Sequence, residues 1–288
     1  MAAITAAMVK ELRELTGAGM MECKKALTEA EGELEKAIDV LRTRGLAAVA
    51  KKAGRATNEG YVMAVTSEDG KTGAIVELKC ETDFVSTNEK FRGYVSRIAA
   101  AALAAKPADV EALKAAEIDG ETVEAIVTDC IHVMGENCEL ARVHIVEGDA
   151  VIPYIHGAGK IGVLVKLAVE GVEATDEALI ICGKDVAMQV AAMNPISAVR
   201  ADVAQHIVDH EREIYRAQAA ESGKPEKFWD GIINGRLNKF FAEQCLAEQT
   251  FVKAADGKQT VGQYVEECAK AMDAKVEIVS FVRCALGD

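Results

Sequence analysis

Gly73-Ala74-Ile75-Val76-Glu77-Leu78-Lys79-Cys80 runs directly into Glu81-Thr82-Asp83-Phe84-Val85-Ser86, and the reading of this stretch decides the fold. In its first half Val76, Leu78 and Cys80 alternate with Glu77 and Lys79, the two-residue period of a strand with unlike faces. Beyond it, Ser86-Thr87-Asn88-Glu89 has the form of a capping box. Phe91, Val95, Ile98 and Ala102 then recur on one helical face. Phe84 falls between the two elements and belongs to the apolar stripe of neither. Most Phe residues are buried, so this ring either folds back onto the core or is presented to a partner.

Upstream, residues 61–80 read as a hairpin around the turn Ser67-Glu68-Asp69-Gly70. The pattern returns at residues 151–167. An offset of 89, the separation of Gly73 from Gly162, also places Gly70 on Gly159, Lys71 on Lys160 and Val62 on Val151. Each hairpin is followed by a helical pattern, residues 88–105 and 176–193, the second carrying Leu179, Val186, Val190 and Met193. Two related α+β subdomains are expected. The repeat fails at one place: Asp83 and Phe84 fall opposite Val172 and Glu173, so only the first copy offers the isolated ring.

Before the first hairpin, Thr5 caps a helix with Met8, Leu12 and Leu15 on one face, stopped by Gly17-Ala18-Gly19. A second helix shows Met20, Cys23, Leu27 and Ala30. A third shows Leu34, Ile38 and Leu41 and is expected to stop at Gly45. Residues 47–55, with Lys51, Lys52 and Arg55, read as a solvated linker. Between the hairpins, residues 109–116 and 122–134 read as helices and 142–146 as a strand. Further on, Val203, Ile207, His210, Ile214 and Ala217 are spaced as a coiled-coil seam. Gly223-Lys224-Pro225 breaks it, and Trp229, Ile233, Leu237 and Phe240 return in a second helix. Thr260-Val261-Gly262-Gln263 opens a last helix bearing Tyr264, Val265 and Cys268, and residues 276–286 close as a strand.

At 288 residues the chain has room for two or three domains. A net charge of −13 argues against a nucleic-acid-binding body, which needs clustered Lys and Arg. The acidity is uneven: residues 1–55 hold ten Lys and Arg against eight Asp and Glu. The eight cysteines (Cys23, Cys80, Cys130, Cys138, Cys182, Cys245, Cys268 and Cys284) form no C-x-x-C pair, which fits a reducing cytosol. No signal peptide and no apolar run of membrane-spanning length is read, so a cytoplasmic location without membrane contact is expected.

Three local patterns suggest chemistry and are better read otherwise. Gly157-Ala158-Gly159-Lys160-Ile161-Gly162 matches a dinucleotide fingerprint but leads into a strand rather than a helix. His206 and His210 share a helix face, yet Ile207 stands where a zinc protease needs Glu. Cys130, His132 and Cys138 have no common zinc spacing. No catalytic constellation, metal site or cofactor is expected.

Several stretches together are specific: Val9-Lys10-Glu11-Leu12-Arg13, residues 16–27 (TGAGMMECKKAL), 81–85 (ETDFV), 154–165 (YIHGAGKIGVLV), 185–195 (DVAMQVAAMNP) and 235–241 (GRLNKFF). They resemble the bacterial elongation factor Ts family, guanine-nucleotide exchange factors for the GTPase elongation factor Tu. The resemblance implies an α+β fold with a ubiquitin-associated-like (UBA-like) three-helix domain and linker (1–54). Two related core subdomains with antiparallel sheets (55–147 and 148–201) would follow. A protruding antiparallel helical hairpin (202–248) and a short C-terminal module returning a strand to the core (249–288) would complete it. It implies no enzyme, but a translation factor that binds GDP-bound elongation factor Tu, dislodges its Mg²⁺ and promotes GDP release. Thr82, Asp83, Phe84 and Val85 match the exchange motif, while Arg13, Met20, Met21, His156 and Gly157 match partner contacts. A homodimer or a 2:2 complex is compatible with this. Glu139-Leu140-Ala141-Arg142 stands where the family has a more basic stretch, and Trp229 is unusual for the hairpin. An acidic scaffold protein with Phe84 buried is the competing expectation.

Overall fold

The computed structural model describes residues 4–16 and 18–288, the side chains of 46–51 excepted. Three helices come first: α1 (Ala6–Thr16), α2 (Met20–Glu29) and α3 (Leu34–Lys52). Thr5 caps α1, its Oγ1 accepting from the Met8 amide at 3.3 Å. Gly17, part of the expected stop, lies outside the described residues. Leu12, Cys23, Ala26, Leu27, Ala37 and Leu41 form the core of this bundle. Two expected core positions are not in it. α1 packs through Val9 and Leu12, which turns Leu15 outward, and α2 packs through Cys23, Ala26 and Leu27, which turns Met20 outward. Nor does α3 end at Gly45. A helical glycine costs only about 1 kcal/mol relative to Ala, and the run Leu46-Ala47-Ala48-Val49-Ala50 that follows favours helix. The expected linker is therefore helical as far as Lys52, whose Nζ donates to the Ile131 carbonyl at 3.1 Å.

Next come β1 (Glu59–Thr66), β2 (Thr72–Cys80), the one-turn helix α4 (Asp83–Ser86), α5 (Glu89–Ala105) and α6 (Val110–Ala115). The two-residue strands β3 (Glu117–Ile118) and β4 (Glu121–Thr122), helix α7 (Val123–Met134) and β5 (Cys138–Glu147) follow. The rest is β6 (Ala150–His156), β7 (Ile161–Glu170), α8 (Glu177–Met193), α9 (Gln205–Glu221), α10 (Trp229–Gln244), α11 (Val261–Ala271) and β8 (Lys275–Ala285). The fold is α+β. It divides into two compact units, one of Met1–Met63, Ile75–His144 and Leu286–Asp288, the other of Ala64–Ala74 and Ile145–Ala285.

The internal repeat is carried by two three-stranded sheets ordered β1-β2-β5 and β6-β7-β8. In both, the second strand of a hairpin is central and a 17-residue helix follows it. α5 starts at the cap Asn88 and ends at left-handed Lys106 (φ 47°); α8 starts at the cap Asp176 and ends at left-handed Asn194 (φ 45°). β7 pairs antiparallel with β6 and with β8, with a register shift between Lys166 and Leu167. β2 is buried on both faces, so the alternation read from sequence does not mark a solvent face. Glu77 is fully buried and ion-paired with Arg142 of β5.

In the second unit α8 lays Leu179, Cys182, Val186 and Val190 into a core with Ile152, Val163 and Val165. Helix and sheet come close at Gly183, where an added Cβ would lie 2.4 Å from Ile152 Cγ1. Gly183→Val should overpack this contact and cost about 1–3 kcal/mol, read as a lower urea midpoint. An unchanged midpoint would show that α8 has room to shift.

α9 and α10 form the helical hairpin. The expected seam is met in part: Ile207 and Ile214 are half-buried in it, but His210 and Ala217 are exposed, and half-buried Val208 and Tyr215 with buried Ala219 complete the packed face. Val203 is buried but precedes the helix. Ile233 and Leu237 are the buried residues of α10, and the Arg236 guanidinium lies 5.9 Å from the Tyr215 ring centroid. Trp229 closes the tip, its indole donating to the Lys224 carbonyl at 2.9 Å. α11 opens where expected, and there Thr260 and Gln263 form a reciprocal capping box.

Candidate functional site

The site is built where α7 ends. Gly135 takes the left-handed conformation (φ 77°) and its amide closes the helix on the Ile131 carbonyl at 3.1 Å. Glu136 follows, and its carboxylate reaches back to the stretch after β2. Oε2 accepts from the amides of Glu81 (3.1 Å) and Thr82 (3.0 Å), and Oε1 accepts from the Thr82 hydroxyl at 2.6 Å. Thr82 Oγ1 in turn accepts from the Val85 amide at 3.4 Å, capping α4. At the other end the Asp83 carbonyl accepts from the Ser86 hydroxyl (3.1 Å) and from the Thr87 hydroxyl (2.8 Å). These back-bonds replace the expected capping box. Ser and Thr hydroxyls readily satisfy a carbonyl three or four residues earlier, and Asn88 is left to cap α5, accepting from the Lys90 amide at 2.9 Å.

A second layer holds the first. Glu81 Oε1 accepts from the Asn137 amide at 2.6 Å and pairs with Arg55 at 3.4 Å, while Asn137 Nδ2 donates to the Arg55 carbonyl at 2.9 Å. The Asn137 amide first, then Arg55, holds the Glu81 carboxyl below its ordinary range. Cys80 donates to the Thr82 carbonyl at 3.2 Å, and burial pushes its thiol up to about 12. On this support Thr82 and Val85 are half-buried, Asp83 is exposed, and Phe84 is 84% exposed. The ring is not a core residue.

In the same unit, Arg13 is exposed on α1, and Met20 (59%) and Met21 (64%) project from the first turn of α2. His156 and Gly157 belong to the other unit, exposed at the end of β6. Tyr154 Oη lies 3.0 Å from His156 Nδ1. The glycine motif forms the β6–β7 turn between the paired residues His156 and Ile161, with Gly157, Ala158 and Gly159 all at positive φ. It joins two strands and opens no helix. Cys130 and Cys138 face each other with their sulfurs 3.8 Å apart, whereas His132 Nε2 lies 3.4 Å from Glu22, so the three do not converge. His206 and His210 are both exposed.

A family profile described as Elongation factor TS matches residues 81–288, beginning at the first residue of the exposed loop. The chain is 48% identical over 288 residues to a Clostridium perfringens protein named Elongation factor Ts, an alignment spanning 99% of this chain and 93% of that one. The protein of that name from Clostridium tetani is 48% identical over 290 residues, with 99% and 94% covered. That from Trichlorobacter lovleyi is 44% identical over 292 residues, with 99% and 93% covered. The chain belongs to the elongation factor Ts family. As an elongation factor Ts family member it is a translation elongation factor. Among the described residues no helix is long and apolar enough to cross a membrane. Sequence reasoning missed Glu136 in this elongation factor Ts fold. Its local signal is only a glycine helix stop followed by an acidic residue, and its partners lie 54 and 55 positions earlier in the chain.

Proposed function

We propose that this elongation factor Ts family member is a guanine-nucleotide exchange factor, without chemistry of its own, that acts on GDP-bound elongation factor Tu. It binds the GTPase, dislodges the Mg²⁺ beside the nucleotide and speeds GDP release so that GTP can enter. The observation that carries this reading is the Phe84 ring, 84% exposed at the end of a loop anchored from both sides. A nucleotide is held by Mg²⁺ and by backbone groups around its phosphates, so displacing those elements by about an ångström releases it. Linkage makes the effect mutual: the factor weakens bound nucleotide as much as nucleotide weakens the bound factor.

Thr82, Asp83, Phe84 and Val85 are the exchange loop in this reading, with Phe84 as the wedge. Arg13, Met20 and Met21 dock the N-terminal helices (residues 1–54) on the GTPase, and His156 and Gly157 add a second contact. Residues 55–147 and 148–201 serve as the two core subdomains, with the 202–248 hairpin and the closing module 249–288 completing the chain. Action in the cytoplasm, as a homodimer or in a 2:2 complex, fits this role.

The test is the release of fluorescent GDP from elongation factor Tu on mixing with the full chain. Accelerated release supports exchange. Binding without acceleration would replace this reading with that of an acidic scaffold.

A further inference from the structure

The geometry points to Glu136 as the positioning residue of the exchange loop, an assignment that rests on the exchange reading above. α4 is four residues long, a single turn, and one turn fixes several dihedrals for one hydrogen bond, so it does not hold itself. Side-chain bonds at its two ends hold it. At the C-terminal end the anchors are the Ser86 and Thr87 hydroxyls, local to the turn. At the N-terminal end three donors, the Glu81 amide, the Thr82 amide and the Thr82 hydroxyl, converge on one carboxylate. Bonds to an ionised acceptor are roughly twice as strong as neutral ones, and the acceptor of these three comes from a different stretch of chain, the α7–β5 turn. That turn is itself braced by Asn137, whose amide and side chain bond Glu81 and Arg55.

Phe84 lies two positions beyond Thr82, so the direction of its ring is set by where the Thr82 cap is pinned. A wedge transmits binding energy only if it is already ordered; a loose one spends that energy on becoming ordered. Glu136 therefore acts on the rate of release within the complex and not on the encounter. Its side chain needs no contact with the partner to do so.

The experiment measures release of fluorescent GDP from elongation factor Tu over a titration with the full chain. Glu136→Ala should lower the maximum release rate about tenfold, the scale of losing hydrogen bonds to a charged acceptor. The half-saturating concentration should stay within about twofold, because no docking residue is altered. Glu136→Gln should restore the rate to within about threefold of wild type. Its amide oxygen can take both backbone amides and its NH₂ can donate to Thr82 Oγ1. In a Phe84→Ala background the effect of Glu136→Ala on the maximum rate should shrink below about twofold, the coupling expected of residues acting as one unit.

A wild-type rate for Glu136→Ala beside a slow Phe84→Ala overturns the role of Glu136 alone. An undiminished Glu136→Ala loss in the Phe84→Ala background overturns it too, since the residue would then act elsewhere. A wild-type rate for Phe84→Ala itself sinks the exchange-loop reading and this role with it. Should Glu136→Ala fail to fold, Thr82→Val decides: it removes the hydroxyl while keeping the shape, and a maximum rate equal to wild type overturns the assignment.

Discussion

Phe84→Ala is expected to slow GDP release from elongation factor Tu by about ten- to 150-fold while the protein melts at the wild-type temperature. Burying a Phe side chain supplies roughly 1.5–3 kcal/mol, and each ~1.4 kcal/mol is a factor of ten in rate. The two halves of the prediction depend on different facts. The kinetic half follows from the ring being exposed in the unbound protein and, in the proposed role, covered in the complex. The thermal half follows from its 84% exposure: truncating so exposed a side chain changes stability by no more than about 0.5 kcal/mol. Binding should persist, because the proposed docking residues are untouched. Normal exchange by the variant, or a loss of several kcal/mol in unfolding free energy, would refute the wedge.

A second large effect is expected at the other end of the chain. Met20→Ala combined with Met21→Ala should weaken association with elongation factor Tu by about ten- to 150-fold, with the maximum release rate unchanged. Each Met contributes roughly 1.5–3 kcal/mol when fully covered, and these two are 59% and 64% exposed in the free protein, so about half of that remains to be gained. Both stand outside the Cys23–Ala26–Leu27 face that packs the bundle, so the fold should be unaffected. The measurement is the half-saturating concentration in the release titration. If it does not move, these methionines are not docking residues.

Much of this architecture was legible because its signals are local. The Gly70 turn, the helix starts at Asp109 and Thr122 and the Thr260 helix cap each depend on bonds within three or four residues, and each falls where the sequence puts it. The 89-residue offset carried the repeat because it needs only like spacing, not contacts. What escaped is tertiary. Glu136 finds its partners across 54 residues of chain, and no periodicity encodes that. Gly45 looked like a stop, but helix propensity on either side outweighs one glycine. In α9 Ile207 and Ile214 fall in the seam as read, but His210 and Ala217 do not, because a 3-4 spacing admits two neighbouring faces. The choice between them rests with the partner helix, which takes Tyr215 under Arg236 and leaves His210 in solvent. The exposure of Phe84 lies between these cases: the sequence isolates the ring from both stripes, and only the anchoring shows which way it turns.

The placement of the cysteines has a practical consequence. Seven of the eight are buried, and Cys268 on α11 alone is half-exposed. Thiolate is the reactive form and buried thiols resist ionisation. A chromogenic disulfide reagent should therefore titrate one equivalent promptly from the native protein and the others only as each core breathes. Cys23 would time the opening of the N-terminal bundle, Cys80, Cys130 and Cys138 the loosening behind the Phe84 loop, and Cys182, Cys245 and Cys284 the second unit. The chain thus carries an internal set of clocks, readable without any label, for which part lets go first.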